Sequence, residues 1–449
     1  MMNDQERRWW CFFLVGIVTI LVVPATAQDH WPQFRGVGAI GTSDNTDLPD
    51  QWSASRSVAW KKDLPGKGWS SPVVWGGRVF LSTVVSQQSA EEAKKGLYFG
   101  GDRSKVSTAV HQWKVICLQL KTGEVLWEQV PHKAVPSWPL HIKNSYASET
   151  PVTDGEHVYV YFGNVGVFCY DLEGQPVWSL PVQPHKVRNN WGTAASPVLH
   201  GEKLLIVNDN DERSYLHALD KRTGKELWRV ERSEGSNWAT PYVWTNSLRT
   251  EIITPGTGKT RSYDLDGKLL YEFGGGSSIT IAAPYSQFGL LFVSSGYVLD
   301  QKKPLFAIRP GASGDISLED EQTSNDYIAW CQPQAAPYNP ATVIWGDLLY
   351  VLLDRGYVSC YEAKTGRLVY DKRRLPRGRA FTSSPWAYNG KIFCLNEYGT
   401  TYVVRAGRKF EILHQNSLAE DDMCMATPAL VGDRLLIRTS ERIYCIRRL

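Results

Sequence analysis

The chain has 449 residues, 43% hydrophobic and 21% charged, and this composition excludes intrinsic disorder as its main state. Lysine and arginine number 49 against 46 aspartate and glutamate. The formal net charge of +3 is too balanced for a nucleic-acid binder that works by general phosphate attraction.

The N-terminus predicts a secretory signal peptide over residues 1–27. An apolar stretch from Cys11 to Val23 follows two arginines and ends in Pro24-Ala-Thr-Ala27, the small-residue pattern that signal peptidase cleaves. We therefore expect a secreted protein, periplasmic or extracellular, with no transmembrane span after signal removal. The alternative is an uncleaved membrane anchor, for which this apolar stretch is short.

Residues 28–57 are predicted to form an N-terminal extension ahead of the main domain. They contain Gly36-Val-Gly-Ala-Ile-Gly41, which matches the G-x-G-x-x-G pattern of dinucleotide sites. Such a site needs a strand before the glycines and a helix after them, and the sequence indicates neither. The glycines therefore do not predict a dinucleotide site.

A repeating unit fills the rest of the chain. Its second half is a tight turn that closes on a glycine, with an aromatic residue four positions later. The pairs are Gly123 and Trp127, Gly174 and Trp178, Gly224 and Trp228, Gly267 and Tyr271, and Gly366 and Tyr370. The glycine supplies the positive φ that such a turn needs.

The first half of each unit has small residues, usually with a proline, then a strand, a polar turn and a second strand. Eight such starts occur, at Ser70, Glu149, Ala195, Ala239, Ala282, Ala341, Ser383 and Ala426. Each unit then has four strands, A to D, and about 49 residues, a period that suits a propeller blade. The sequence thus predicts an all-β fold, an eight-bladed β-propeller of four-stranded antiparallel blades over residues 58–449.

The eighth unit ends after its strand C, so its strand D must come from elsewhere. The segment from Val58 to Leu64 has the form of a strand D, with Trp60 as its aromatic residue. We expect this N-terminal strand to close blade 8 and to remove an open sheet edge.

One position on strand C is occupied by a small residue in every unit. Its occupants are Cys117, Cys169, Ala218, Ser262, Ala307, Cys360, Cys394 and Cys445. Like positions on adjacent blades should be too far apart for a disulfide, so these five cysteines are predicted to be buried free thiols. Cys331 and Cys424 lie outside this set, and their state stays open. The strand D aromatics are predicted to dock neighbouring blades together.

The turn-plus-tryptophan unit, as in Lys121-Thr-Gly-Glu-Val-Leu-Trp127 and Arg222-Thr-Gly-Lys-Glu-Leu-Trp228, resembles the pyrroloquinoline quinone-like (quinoprotein-type) propeller repeat. The segment that begins at Trp31-Pro-Gln-Phe-Arg is similar to the N-terminal signature of a secreted bacterial subgroup. This family contains quinone-dependent dehydrogenases and non-enzymatic members such as the outer-membrane-protein assembly lipoprotein. The family's alcohol dehydrogenases carry two adjacent cysteines over the quinone. This chain has no such pair, so the resemblance implies a non-catalytic member.

Strand order places the D–A and B–C connections on one face of a propeller, and the A–B and C–D turns on the other. The long insertions 86–112 and 129–147 fall on the first face, and the D–A connections reach the axis because strand A is innermost. Aromatic, amide and arginine side chains of these connections are the predicted ligand-binding residues: Trp69, Asn190, Trp191, Asn237, Trp238, Arg377 and Arg379. The alternatives are aromatic packing that plugs the channel and a solvated basic loop.

No catalytic residue and no metal ligand is assigned. The acidic turn Asn208-Asp-Asn-Asp-Glu212 lacks the full pattern of a calcium loop. Four histidines, His111, His132, His141 and His185, fall in loops on one face, and sequence alone does not bring them together.

The leading hypothesis is a secreted, non-catalytic binding or scaffold propeller. It would hold a protein partner, or a small planar or sugar-like ligand, on its D–A/B–C loop face. The first alternative is a quinone-dependent alcohol or sugar dehydrogenase, with pyrroloquinoline quinone and calcium as possible cofactors. The second is a carbohydrate-binding accessory protein. No nucleic-acid partner is expected.

Overall fold

The computed structural model describes residues 29–88, 93–97, 106–376 and 378–448, and it forms eight antiparallel sheets, each the size of one propeller blade. The predicted signal peptide of residues 1–27 and Arg377 lie outside these residues. The only helices in the described ranges are the 3₁₀ turns Val37–Ala39 and Arg188–Asn190. No helix there is long and apolar enough to cross a membrane.

Strands A to D of the first four blades follow the chain in order. Blade 1 has Val73–Trp75, Arg78–Ser86, His111–Gln119 and Val125–Ala134; blade 2 has Val152–Thr153, His157–Phe162, Gly166–Asp171 and Pro176–Pro181. Blade 3 has Val198–His200, Lys203–Asn208, Ser214–Asp220 and Glu226–Arg232; blade 4 has Tyr242–Thr245, Thr250–Thr254, Thr260–Tyr263 and Leu269–Phe273.

The last four blades repeat the same order. Blade 5 has Tyr285–Gln287, Leu290–Ser294, Leu305–Ile308 and Ile328–Gln332; blade 6 has Val343–Trp345, Leu348–Leu353, Tyr357–Glu362 and Leu368–Arg374. Blade 7 has Trp386–Tyr388, Lys391–Leu395, Thr400–Arg405 and Ile412–Ser417; blade 8 has Ala429–Val431, Arg434–Arg438 and Arg442–Ile446, with Val58–Asp63 as strand D. The C–D insertion of blade 5 adds a short parallel strand, Gly314–Asp315, to the outer edge of blade 4.

The N-terminal strand closes the ring as the sequence predicted. Val58–Asp63 pairs antiparallel with Arg442–Ile446, and Trp60 lies opposite Cys445. The eight-bladed propeller with a blade closed by an N-terminal strand is therefore confirmed.

The tryptophans of strand D dock onto the glycine turns of the next blade. Trp127 of blade 1 donates its indole N–H to the Leu172 carbonyl of blade 2 at 2.9 Å, and a Cβ on Gly174 would lie 2.6 Å from the Trp127 ring. Trp60, Trp178, Trp228 and Trp330 repeat this contact on Gly123, Gly224, Gly267 and Gly366. Each of these glycines therefore has two structural roles. It adopts the positive φ of the turn, and its lack of a side chain leaves room for the indole ring.

Hydroxyl side chains link the innermost strands of successive blades. The residue two positions before most strand A segments is a serine or threonine, and its oxygen accepts the backbone N–H of the same position in the preceding blade. In the first series, Ser71 donates to Thr150, Thr150 to Ser196, and Ser196 to Thr240. In the second series, Ala341 donates to Ser384, and Ser384 to Thr427. Each bond joins a backbone N–H to a side-chain hydroxyl at 2.9–3.1 Å. Blades 5 and 6 have Ala283 and Ala341 at this position. Alanine has no hydroxyl to accept the bond, so the series is interrupted at these two blades.

All seven cysteines of the described residues are free and buried. The prediction for the five strand C cysteines is confirmed, and Cys331 and Cys424 share their state. Burial raises the pKa of the Cys117 and Cys360 thiols to about 12, so these sulfurs stay protonated and unreactive at neutral pH.

The N-terminal extension enters the central channel rather than lying on the outside. Trp31 exchanges two backbone hydrogen bonds of 2.8 Å with Val74, and residues 41–43 bond in the same way to Ala387. Both partners lie on strand A, whose other edge pairs with strand B, so the extension occupies the inner edge that faces the axis. The side chain of Arg35 spans to blade 6, where its Nη2 donates to the Thr342 carbonyl at 2.7 Å.

Candidate functional site

A cavity of about 240 Å³ lies at the D–A end of the channel. Its wall contains the small residues that precede strand A in seven of the blades, so it is centred on the axis. Phe34 of the channel-filling extension also contributes to the wall. The extension therefore occupies the A–B half of the channel and leaves a funnel on the face that carries the long loops.

Three of the predicted residues line this funnel. Trp69, Trp191 and Trp238 are all at least nine-tenths buried, and they come from the D–A connections into blades 1, 3 and 4. The indole N–H of Trp69 donates to the Lys143 carbonyl at 2.8 Å, and that of Trp238 donates to the Gly192 carbonyl. The buried Nε1 of Trp191 has no hydrogen-bond partner among the described residues.

The aromatic wall continues across the funnel. Trp191 and Trp238 contact each other with their ring centroids 5.7 Å apart, and Tyr297 and Tyr338 form a second pair at 5.2 Å. Tyr297 and Tyr338 line the same cavity. Aromatic rings on several sides suit a ligand that carries a flat group, an apolar chain or a cation.

The other predicted residues lie beside the funnel rather than in its wall. Asn237 is buried and donates to the Pro255 carbonyl at 2.6 Å, which holds the connection into blade 4 in place. Asn190 ends a 3₁₀ turn and positions Trp191, and its buried Oδ1 has no partner among the described residues. Arg379 is exposed on the connection into blade 7, next to Arg377, which lies outside the described residues.

A buried ion pair forms one side of the funnel. Lys143, on the connection between blades 1 and 2, pairs with Glu397, whose side chain is fully buried at the B–C turn of blade 7. Glu397 also accepts from the Thr382 hydroxyl at 2.6 Å and from the Gly96 backbone N–H at 2.9 Å. Gly96 belongs to the B–C insertion of blade 1, and its neighbour Leu97 lines the cavity. The pair therefore fastens three separate loops to one another.

A second buried carboxylate, Asp354, lines the funnel on the blade next to that of Glu397. It sits at the B–C turn of blade 6 and is only 4% exposed. Its oxygens accept from the backbone N–H groups of Tyr338 and Asn339, at 2.8 and 3.1 Å, and from the Asn339 side chain at 2.6 Å. Burial raises the pKa of Asp354 above its ordinary value, because no described cation faces it.

The candidate metal ligands of the sequence do not form a cluster. Asp209, in the acidic turn, pairs with Arg232 at 2.8 Å, and both side chains are fully buried, so this turn is held by an internal ion pair. Burial lowers the pKa of His111 and His132, which favours neutral rings packed against aromatic neighbours. Across the described ranges, no group of three His, Cys, Asp or Glu residues could hold a metal ion.

Sequence reasoning missed Asp354, Lys143 and Glu397. Asp354 and Glu397 lie at B–C turns of two different blades, where a short acidic turn has no distinguishing pattern. One signal was available, since B–C turns share the loop-rich face with the D–A connections. An acidic residue directly after strand B was therefore a candidate for the funnel wall. Asp354 lies there, whereas Asp209, at the same position in blade 3, pairs with Arg232 and does not line the cavity.

A protein-family model described as outer membrane protein assembly factor BamB matches residues 111–367, more than half of the chain. A curated relative, the outer membrane protein assembly factor BamB of Burkholderia pseudomallei (strain K96243), is 25% identical over 208 residues. That alignment covers 41% of this chain and 50% of the relative, so the chain spans about half the length of the curated relative it matches.

Two solved structures share the fold at low sequence identity. The quinohemoprotein alcohol dehydrogenase from Comamonas testosteroni is 12% identical, with a TM-score of 0.58, over 93% of this chain and 80% of that one. A second quinohemoprotein alcohol dehydrogenase, from Pseudomonas putida HK5, is 12% identical, with a TM-score of 0.56, over 94% of this chain and 80% of that one. At this identity the likeness concerns the fold alone.

Proposed function

The chain belongs to the family described as outer membrane protein assembly factor BamB, and from this we propose that it is a non-catalytic binding propeller of the cell envelope. It would hold a protein partner in outer-membrane protein assembly through the funnel on its D–A/B–C loop face. The observation that carries the proposal is the funnel itself, an aromatic-walled cavity of about 240 Å³ at the axis.

The position of the funnel supports binding from one side. The extension bonded to Val74 and Ala387 occupies the A–B half of the channel, so we expect a ligand to reach the axis from the loop face. The Lys143–Glu397 pair and the hydroxyl links between blades hold the wall in one geometry, which lowers the entropy cost of binding. The predicted site residues Trp69, Trp191 and Trp238 remain part of this proposal.

The proposed location follows from the same family. The family description names an outer-membrane assembly factor, and the signal peptide predicted for residues 1–27 would deliver this chain to the periplasm. We retain the proposed division into a signal peptide, an extension over residues 28–57 and a propeller over residues 58–449.

A quinone-dependent dehydrogenase is the second candidate, because two solved structures of that class share the fold. The described residues do not fit its cofactor. Pyrroloquinoline quinone carries three carboxylates and requires cations around it. Lys143 is the only lysine or arginine among the described residues that line the cavity, and Glu397 already pairs with it. Asp354 would repel the quinone carboxylates, so the described residues do not support quinone chemistry in this funnel.

Site-specific photo-crosslinking in the cells that make the protein tests the proposal. A benzophenone amino acid replaces Tyr398 at the B–C turn of blade 7, which is 41% exposed on the funnel face. The matched control is Phe288, 42% exposed at the A–B turn of blade 5 on the opposite face. We expect adducts with outer-membrane assembly proteins from position 398 and none from 288. Equal adducts at both positions, or none at 398, would contradict the proposal.

A further inference from the structure

We infer that the funnel recognises a protonated amine or guanidinium, presented by a lysine or arginine side chain of a protein partner and held by Asp354 among the aromatic rings. This inference rests on the proposed binding function and names the chemical group that the funnel selects. It assigns a ligand-binding role to a carboxylate that also holds the connection into blade 6 in place.

The first observation is that Asp354 lacks a counter-ion where comparable carboxylates have one. Seven carboxylate side chains among the described residues are buried, and five of them pair with a lysine or arginine. The pairs are Asp209 with Arg232, Glu234 with Arg261, Glu251 with Arg249, Glu397 with Lys143, and Asp422 with Arg442. The remaining two are Glu149 and Asp354, and only Asp354 lines the funnel. The hydrogen bonds to Asp354 come from neutral donors, and a buried carboxylate without a counter-ion is costly, so a ligand cation would compensate it.

The second observation is the charge balance of the wall. Lys143 is engaged by Glu397 and by the Gly96 carbonyl at 2.9 Å, so it does not offset Asp354. With histidine counted as neutral, Lys143, Glu397 and Asp354 sum to one negative charge among the described lining residues and their ion-pair partner. Arg188 acts electrostatically on Tyr297 and Tyr338, but it does not line the cavity, and its guanidinium donates to the Ser278 carbonyl at 3.1 Å. A cationic group would neutralise this negative charge, whereas an anionic group would be repelled.

The third observation is that aromatic rings accompany this carboxylate. The backbone N–H of Tyr338 donates to Asp354, which keeps this aromatic residue beside the carboxylate, and Tyr297 contacts Tyr338. Trp191 and Trp238 also line the cavity. A ring face attracts a cation electrostatically, and the attraction strengthens when the site excludes water.

The unpaired indole N–H of Trp191 favours a peptide over a free amine. It is a buried donor without an acceptor among the described residues, so a bound ligand should supply one. A lysine or arginine within a protein carries backbone carbonyls close to its cationic side chain. An isolated alkylamine has no such acceptor.

Isothermal titration calorimetry with small probes tests the inference on the unaltered full chain. N-acetyl-lysine methylamide carries the ammonium and two carbonyls, N-acetyl-norleucine methylamide lacks the ammonium, and n-butylamine lacks the carbonyls. We expect the lysine probe to bind at least tenfold more tightly than the norleucine probe. Equal binding of the two, or binding of neither at millimolar concentration, would overturn the inference.

Two variants locate the effect. Asp354→Asn keeps the side-chain shape and removes the charge. In this variant the affinity for the lysine probe should fall to that of the norleucine probe. The control is Asp320→Asn at an exposed position on the opposite face, which should leave the affinity unchanged. Trp191→Phe should weaken the lysine probe several-fold and spare n-butylamine, and equal losses for both would assign a free amine instead. Lysine selectivity retained in Asp354→Asn would refute the assignment to this carboxylate. If crosslinks from position 398 persist in the Asp354→Asn variant, the proposed binding function is still supported even though the assignment to Asp354 is refuted.

Discussion

At the scale of single residues, this propeller separates contacts that assemble the blades from groups that the assembly leaves uncompensated. The strand D tryptophans and their glycine partners repeat from blade to blade and serve assembly. Glu149 and Asp354 occur once each, are buried and face no described cation. Asp354 opens onto the funnel, whereas Glu149 bonds to Thr193 and Gly163 within the wall between blades.

Glu149 should make the stability of the protein depend on pH. Burial raises the pKa of Glu149 from its ordinary 4.5 to about 7. The folded chain therefore binds a proton more tightly than the unfolded chain. The free energy of unfolding should fall as pH rises from about 4.5 to 7, by on the order of 3 kcal/mol from this group. Glu149→Gln cannot ionise and should lose less stability over that range, as measured by urea unfolding.

The control for this experiment is the exposed Glu156→Gln on the same blade, which should follow the wild-type profile. If the profiles of wild type and Glu149→Gln stay parallel from pH 4.5 to pH 8, Glu149 does not carry a raised pKa in the folded protein.

Residue-level prediction from sequence worked where the pattern repeats and failed where it does not. Trp127 and Gly174 were recognisable because four further pairs show the same spacing. Asp354 lies in a four-residue turn with no repeat partner, and its lack of a counter-ion depends on side chains from other blades. Trp191 was predicted from its position before strand A, but its unpaired N–H depends on packing that no spacing reveals.

At the scale of elements, the funnel is formed by loops that are far apart in sequence and are held together by side-chain contacts. Lys143 and Glu397 are separated by 254 positions in sequence, and Gly96 of a third loop bonds to both of them. The N-terminal extension occupies the other half of the channel, where Trp31 forms strand-like bonds to Val74. The sequence predicted where the long loops would gather, but an irregular segment has no periodicity from which its path could be read.

The loop-fastening role of Lys143 and Glu397 can be measured by a double-mutant cycle. Lys143→Met or Glu397→Gln alone leaves a buried charge unpaired and should cost about 3 kcal/mol in the free energy of unfolding. The double variant should cost clearly less than the sum of the two. The exposed Arg78–Glu173 pair between blades 1 and 2 is the control and should couple by less than about 1 kcal/mol. Additive losses at Lys143 and Glu397 would show that the pair does not act as a unit.

Closure by the N-terminal strand predicts a specific loss on truncation. A chain that begins at Ser55 lacks the channel segment but keeps Val58–Asp63, whereas a chain that begins at Gly66 also lacks this strand and the docking of Trp60 on Gly123. Loss of the partly buried Trp60 contact and of the edge strand should lower the melting temperature of the second chain by more than about 5 °C relative to the first, or cause aggregation. Equal melting of the two chains, followed by circular dichroism, would refute closure.

At the scale of the whole molecule, fold and site differ in how much the sequence determines them. Eight similar unit beginnings and five glycine–aromatic pairs were sufficient to predict the propeller and its closure, because each blade repeats the same local sequence pattern. The funnel depends on what does not repeat: two buried carboxylates, one lysine and the segment in the channel. The fold that this chain shares with two alcohol dehydrogenases therefore does not determine which charges lie at its axis.

The most direct test of the central claim, that this propeller binds rather than catalyses, is an assay of dye reduction by the purified chain. Alcohols and aldoses are supplied with and without added pyrroloquinoline quinone and calcium. Because Lys143 is already paired and Asp354 would repel a quinone carboxylate, we predict no turnover above the protein-free control and no quinone absorbance retained after gel filtration. Robust turnover that requires the quinone would contradict the account and establish the dehydrogenase.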